Sequence, residues 1–240
     1  MKKLAVFLLL ILLITGSCSF QKGAYDKDVM KAYELRMQGK VDQAVALLDS
    51  ILATDSTNAM AYYELSRTNK YMLTGGGDVS IDEILTLIEK AKLYDSANVI
   101  YAYAKAMDDF LNAYMAMHQN QDKVAGEIGK TCEAFKYVLE LKPDYPEPML
   151  YLVEIYGLLP QEMGGDSAQA ITYVNLLEQT NEFYAAKGKL AMNPVDEVTF
   201  WQDYLSGHDT TPEVLKEIGI AYLYKEAPDE AEEYFNQVML

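Results

Sequence analysis

Along residues 25–240, apolar positions recur three and four apart, as on a helix with one buried face, and no stretch shows the alternation of a strand. Tyr33-Glu-Leu-Arg-Met-Gln-Gly39 runs into Val41-Asp-Gln-Ala44, Leu48, Ile51 and Leu52, and stops at Asp55-Ser-Thr-Asn58. That order predicts a helix, a glycine turn, a second helix and a polar turn: an αα-hairpin. Small Ala44 marks the place where the two helices cross closely. The pattern returns with Tyr62, Leu65, Ile84, Ile88 and Ala91, closed by Asp95-Ser-Ala-Asn98. A third hairpin, with long helices near 97–118 and 123–141, ends in Leu139-Glu-Leu-Lys-Pro143 and leads into Met149, Leu152 and Tyr156. A fourth closes through Ala170, Val174 and Leu177. The last carries Leu215, Ile218-Gly219, Tyr222, Ala231, Phe235 and Val238.

Two glycine clusters, Gly75-Gly-Gly-Asp78 and Gly164-Gly-Asp166, lie inside the second and fourth hairpins. Glycine followed by Asp predicts a helix stop and an N-cap for the next helix. Neither cluster follows a strand or precedes a suitably placed Lys, so a phosphate-binding loop is disfavoured. Asn193-Pro194 predicts the start of one additional helix carrying Val198, Trp201 and Tyr204, with Trp201 as its buried anchor.

These signatures resemble the tetratricopeptide repeat, a helical hairpin of about 34 residues. Ile218-Gly219-x2-Tyr222 and Ala231-x3-Phe235 follow its pattern, and Pro143 stands as a closing proline. Repeats would begin near Tyr25, Ala59, Val99, Pro146 and Pro212, at intervals of 34, 40, 47 and 66 residues. The resemblance implies an all-α, right-handed superhelical stack of about five hairpins plus one extra helix over residues 25–240. First helices of successive hairpins would line its concave face.

The N-terminus has a different character. Lys2 and Lys3 precede an apolar run of eleven residues, Leu4 to Ile14, followed by small residues up to Cys18. Spanning a bilayer takes about 20 residues, so the run matches the core of a signal peptide instead. Ile14-Thr15-Gly16-Ser17-Cys18 resembles the lipobox of bacterial lipoproteins, with Thr15 where Leu is usual. The resemblance implies a signal peptide over 1–17, a tether over 18–24, and Cys18 carrying diacylglycerol and an acylated amine. Acyl chains at about 0.8 kcal/mol per buried CH2 make such anchoring effectively permanent. Ser19 after the cysteine favours an outer-membrane address facing the periplasm. The competing reading is an ordinary cleavable signal with an incidental cysteine.

The chain carries 20 basic and 36 acidic residues, a net charge of −16; loss of Lys2 and Lys3 leaves 18 basic residues and a net −18. Its only arginines are Arg36 and Arg67. So acidic a chain repels phosphate backbones and lacks the guanidinium forks that read bases, which argues against nucleic-acid binding. A basic peptide or a cation is the electrostatically reasonable partner. Cys18 and Cys132 are the only cysteines, so a lipidated Cys18 leaves Cys132 unpaired, an apolar filler on a helix.

Reactive groups do not converge in the sequence. His118 and His208 are the only histidines, and no His or Cys pair has metal-ligand spacing. Asp108-Asp109 and Glu232-Glu233 are neighbours on helices, pointing about 100° apart, and read as solvated faces. An enzyme is disfavoured, and no cofactor or metal is implied.

Binding fits the pattern better. Of 19 tyrosines, several fall on first helices, among them Tyr33, Tyr62, Tyr103, Tyr151, Tyr222 and Tyr224. Tyrosine offers contact area and a hydroxyl at low entropic cost, although this repeat also uses it as core filler. Tyr63, Arg67 and Tyr71 lie on one stripe of the second hairpin's first helix, opposite Tyr62, Leu65 and Asn69. The candidate binding residues are therefore Tyr63, Arg67, Tyr71, Tyr103 and Tyr224. Val29 and Tyr33 stand where related domains that clamp a carboxylate place Lys and Asn, which disfavours a carboxylate clamp.

The leading expectation is a membrane-anchored scaffold for protein or peptide partners. The alternative is a small-ligand-binding lipoprotein resembling transporter-associated repeat components, whose sign would be a closed apolar pocket bounded by Trp201. A part in outer-membrane assembly or surface-polysaccharide machinery is a third reading that no residue singles out. With no polar capping helix after Val238, the last hairpin is a candidate homodimer surface.

Overall fold

The computed structural model describes residues 26–119, 121–193 and 195–238, with side chains for all of these except 118, 119 and 121. The expectations about the signal peptide, Cys18, the tether, Pro194 and Leu240 lie outside the described residues. Within them every regular element is helical: α1 (Lys27–Met37), α2 (Val41–Thr54), α3 (Ala59–Thr74), α4 (Ile81–Tyr94), α5 (Val99–Gln119), α6 (Gln121–Leu141), α7 (Pro146–Leu158), a 3-10 turn (Gln161–Met163), α8 (Ser167–Thr180), α9 (Glu182–Met192), α10 (Glu197–Gly207), α11 (Pro212–Tyr224) and α12 (Pro228–Val238). They form two compact units, one ending at Asp95 and one beginning at Ser96.

The first unit is two hairpins, α1–α2 and α3–α4. Asp26 Oδ1 accepts the backbone N–H groups of Asp28 and Val29, capping α1. Its other oxygen accepts from Asn58 Nδ2 at 2.9 Å, while Asn58 Oδ1 caps α3 through the N–H of Ala61. One aspartate thus fixes the start of both first helices. Each first helix ends on a left-handed glycine, Gly39 at φ 74° and Gly76 at φ 82°. The next N–H reaches back five residues in both cases, Lys40 to Leu35 O and Gly77 to Met72 O. Ser80 Oγ, rather than Asp78, caps α4 by accepting from Glu83 N–H. Val29, Ala32, Ala44, Leu48, Ala61, Ile88 and Ala91 are buried, so the alanines sit at the crossings as expected. Val29 belongs to this core and not to a ligand-facing surface.

The second unit opens with the long pair α5–α6, 21 residues each, packed through Ala102, Ala106, Phe135 and Val138. Asp108 and Asp109 are buried on α5, and Asp109 pairs with Lys105 one turn back, so this acidic pair is not a solvated face. Cys132 is buried as apolar filler. Hairpin α7–α8 follows, with Asp166 capping α8 through Ala168 and Gln169 N–H.

Two helices then occupy the stretch where the sequence predicts one. Asn181 accepts from Tyr184 N–H to cap α9, while its own N–H closes α8 on Leu177 O. The joint is one residue long. α9 turns Ala185, Ala186 and Gly188 inward, and a Cβ at Gly188 would already stand 3.3 Å from Val174. α10 begins at Glu197 behind the Asp196 cap, later than Asn193-Pro194 predicts. Trp201 is its anchor, 1% exposed, with the rings of Phe183, Phe200 and Tyr204 around it. In the final hairpin, α11–α12, Phe235 lies so close to Gly219 that an added Cβ would meet its ring at 2.6 Å. This close approach is the physical content of the Ile218-Gly219 and Ala231-x3-Phe235 signature. Phe235 packs part of its ring against α11 and stays partly exposed.

Candidate functional site

In the first unit, α3 presents Arg67 and Tyr71 outward while Tyr62, Leu65 and Asn69 are buried on its other side. Arg67 stands over two rings, 5.5 Å from the Tyr63 centroid and 5.7 Å from that of Tyr33. Beneath it lies buried Glu64. Its Oε1 accepts from Arg36 Nε at 2.8 Å and its Oε2 faces Arg67 Nη1 at 3.5 Å. The chain's two arginines, 31 positions apart, therefore meet on one carboxylate. Arg36 is buried, with its Nη2 lacking a hydrogen-bond partner, whereas the Arg67 side chain is 43% exposed. Their combined charge exceeds that of Glu64 by one, giving a local positive spot on a strongly acidic chain.

In the second unit, α5, α7 and α9 bring Tyr103, Tyr151 and Tyr184 to one half-exposed face, joined by Tyr145 from the turn before α7. Tyr103 and Tyr145 rings lie 5.1 Å apart, and Tyr151 stacks on Phe135 at 5.0 Å. The Tyr184 hydroxyl donates to Glu147 Oε1 at 3.0 Å. Burial pushes the Tyr103 hydroxyl well above the ordinary tyrosine range, and Tyr151, Tyr145, Glu147 and Tyr184 crowding it push the same way. Tyr184 is raised first by burial and then by its bond to Glu147. The face continues to α11, where Lys187 on α9 meets Glu217 at 2.8 Å. Burial raises the Glu154 carboxyl, opposed by Lys187.

The sequence-chosen residues thus separate. Tyr63, Arg67 and Tyr71 share one stripe of the first unit, and Tyr103 sits in the tyrosine face of the second. Tyr224 is 78% exposed at the end of α11 and joins neither group. Sequence reasoning passed over Tyr145, Glu147, Tyr184, Lys187 and Glu217. Two of these lie on α9, which it did not resolve.

Two open clefts of about 450 and 380 Å³ flank α9 and α10, and Lys189 and Phe200 line both. Trp201 lines neither of these two clefts. His208 closes α10, its Nδ1 2.8 Å from Tyr204 O and its ring stacked on Tyr204. Among the described residues, no three His, Cys, Asp or Glu groups are placed to hold a metal ion, and no helix is long and apolar enough to cross a membrane.

No protein-family model matches the chain, and no curated protein matches it in sequence. Among solved structures it is similar to TTC0263, a thermophilic TPR protein of Thermus thermophilus, at 16% identity, over 90% of this chain and 90% of that one, with a TM-score of 0.51. It is similar as well to a monomeric mutant of IFIT1 with m7Gppp-AAAA, at 16% identity, over 88% of this chain and 53% of that one, with a TM-score of 0.51. YrrB, a TPR protein described as having an unusual peptide-binding site, matches at 16% identity over 94% of this chain and 90% of that one, with a TM-score of 0.47. The likeness to TTC0263 shows the fold: an all-helical repeat protein of tetratricopeptide type.

Proposed function

We propose that this chain is a binding scaffold that makes no bonds itself and holds a protein or peptide segment against the first helices of its hairpins. The observation that carries this reading is the face shared by Tyr103, Tyr151 and Tyr184. Three helices each contribute a half-exposed tyrosine, and Glu147 and the Lys187–Glu217 pair supply hydrogen-bonding groups among them. Such rings bring contact area with little rotamer entropy to lose. The Tyr63–Arg67–Tyr71 stripe offers a second tyrosine-bearing contact on the first unit, with an arginine in place of the carboxylates.

The same proposal places the scaffold in a bacterial cell envelope, held by lipid on Cys18 and facing the periplasm. Labelled palmitate should enter the wild-type protein and be absent from Cys18→Ala; equal labelling would overturn the anchor. For the scaffold, a photo-crosslinking amino acid at Lys187 or Tyr71 should give discrete protein adducts in cells, against none at Glu230 on α12. Identical adduct patterns at all three positions would overturn the binding faces.

A further inference from the structure

Resting on that scaffold reading, we infer that the segment held by the second unit is cationic, with a basic side chain seated among Tyr103, Tyr145, Tyr151 and Tyr184 beside Glu147. The rings themselves point to a cation. Faces of tyrosine attract ammonium and guanidinium groups through their quadrupole, more strongly where water is thinned out, and these four are half-buried and mutually close. The molecule already uses this chemistry at the edge of the cluster, where the Lys142 ammonium lies 4.8 Å from the centroid of Tyr145.

Charge gives the second argument. Glu147 is at the centre, bonded to Tyr184, and Glu154, Glu213 and Glu217 extend the same face along α7 and α11. Against these four carboxylates stand two lysines, Lys142 at the edge over Tyr145 and Lys187 held on Glu217, so the acidic groups outnumber the basic ones. The net charge of −16 adds a long-range field that draws in basic segments and repels acidic ones. An acidic ligand would have to displace this field; a basic one completes it.

The test uses the folded, unlipidated chain and fluorescence anisotropy at physiological ionic strength, with a labelled peptide alternating Lys and Gly and a matching Glu and Gly peptide. Only the lysine peptide should bind. Glu147→Gln, which keeps an acceptor for Tyr184, should weaken it about tenfold, and Tyr145→Leu about fivefold. Tyr145→Phe, which keeps the ring, and Glu230→Gln, which removes an equal charge on α12, should change it less than twofold. Equal weakening by Glu147→Gln and Glu230→Gln would reduce the effect to diffuse attraction and overturn the inference. So would tight binding of the glutamate peptide, or no binding of either; the scaffold reading is judged apart from these, by the crosslinks at Lys187.

Discussion

Glu64 holds two arginines at once, and its removal should be among the most damaging single changes in the first unit. Its side chain is 5% exposed, and the Arg36 side chain that donates to it is 9% exposed. Replacing Glu64 with Ala leaves the Arg36 guanidinium buried with its main acceptor gone and its Nη2 already unpartnered. Breaking a buried pair in this way costs about 3–5 kcal/mol, a large share of the 5–15 kcal/mol typical of a folded domain. Arg67→Ala removes only the longer, half-exposed arm and should cost less than about 1 kcal/mol. Joint replacement Arg36→Met with Glu64→Leu removes both charges and should recover most of the loss, because the desolvation penalty disappears with them. Urea unfolding followed by far-ultraviolet circular dichroism reads all four proteins. A cost of 3–5 kcal/mol appears as a midpoint lowered by about 1–2 M at ordinary urea slopes. If Glu64→Ala loses less than about 1 kcal/mol, the pair is solvated and the reasoning fails. If the double variant is worse than Glu64→Ala, the pair is needed for something other than mutual neutralisation.

Three further outcomes are expected. Glu226 occupies the left-handed position that glycine takes at Gly39 and Gly76, with φ 58°, so Glu226→Gly should stabilise by about 1 kcal/mol and raise Tm by about 2–4 °C; a lower Tm in calorimetry would contradict this. Gly219→Ala should cost about 1 kcal/mol, overpacking against Phe235 outweighing the gain in helix propensity, and adding Phe235→Leu should relieve it; a stabilised Gly219→Ala would show that the ring yields freely. Burial raises the Cys132 thiol above its ordinary range, so a disulfide reagent should leave it untouched in the native protein and titrate it fully in urea; fast native labelling would place it at the surface.

Much of the fold was legible because it is written in local chemistry. The expected starts at Ala59, Val99, Pro146 and Pro212 coincide with the first residues of α3, α5, α7 and α11. Each follows a polar turn, and two are prolines with a fixed φ suited to a first helical turn. The glycine turns and the alanines at crossings were readable for the same reason. α9 was not, because Asn181 does the work of a whole linker and no glycine or proline marks the break between α8 and α9. Small Ala185, Ala186 and Gly188 on its inner side also blur the apolar period that marks a helix. The candidate sites were legible in part. The outward stripe of α3 follows from periodicity alone, but the meeting of Arg36 and Glu64 joins residues 28 apart, which no local pattern encodes.

The single-residue joint at Asn181 has a consequence for how this protein can change. A helix advances about 100° per residue, so an insertion that lengthened α9 at its start would swing Tyr184 and Lys187 away from Tyr151 and Glu217. With no slack in the connection, the aim of these side chains is a matter of phase, set at the joint like the timing of meshed gears. Variation at this junction should accordingly run through substitutions that keep a side-chain acceptor at position 181, such as Asp or Ser, and avoid changes in length.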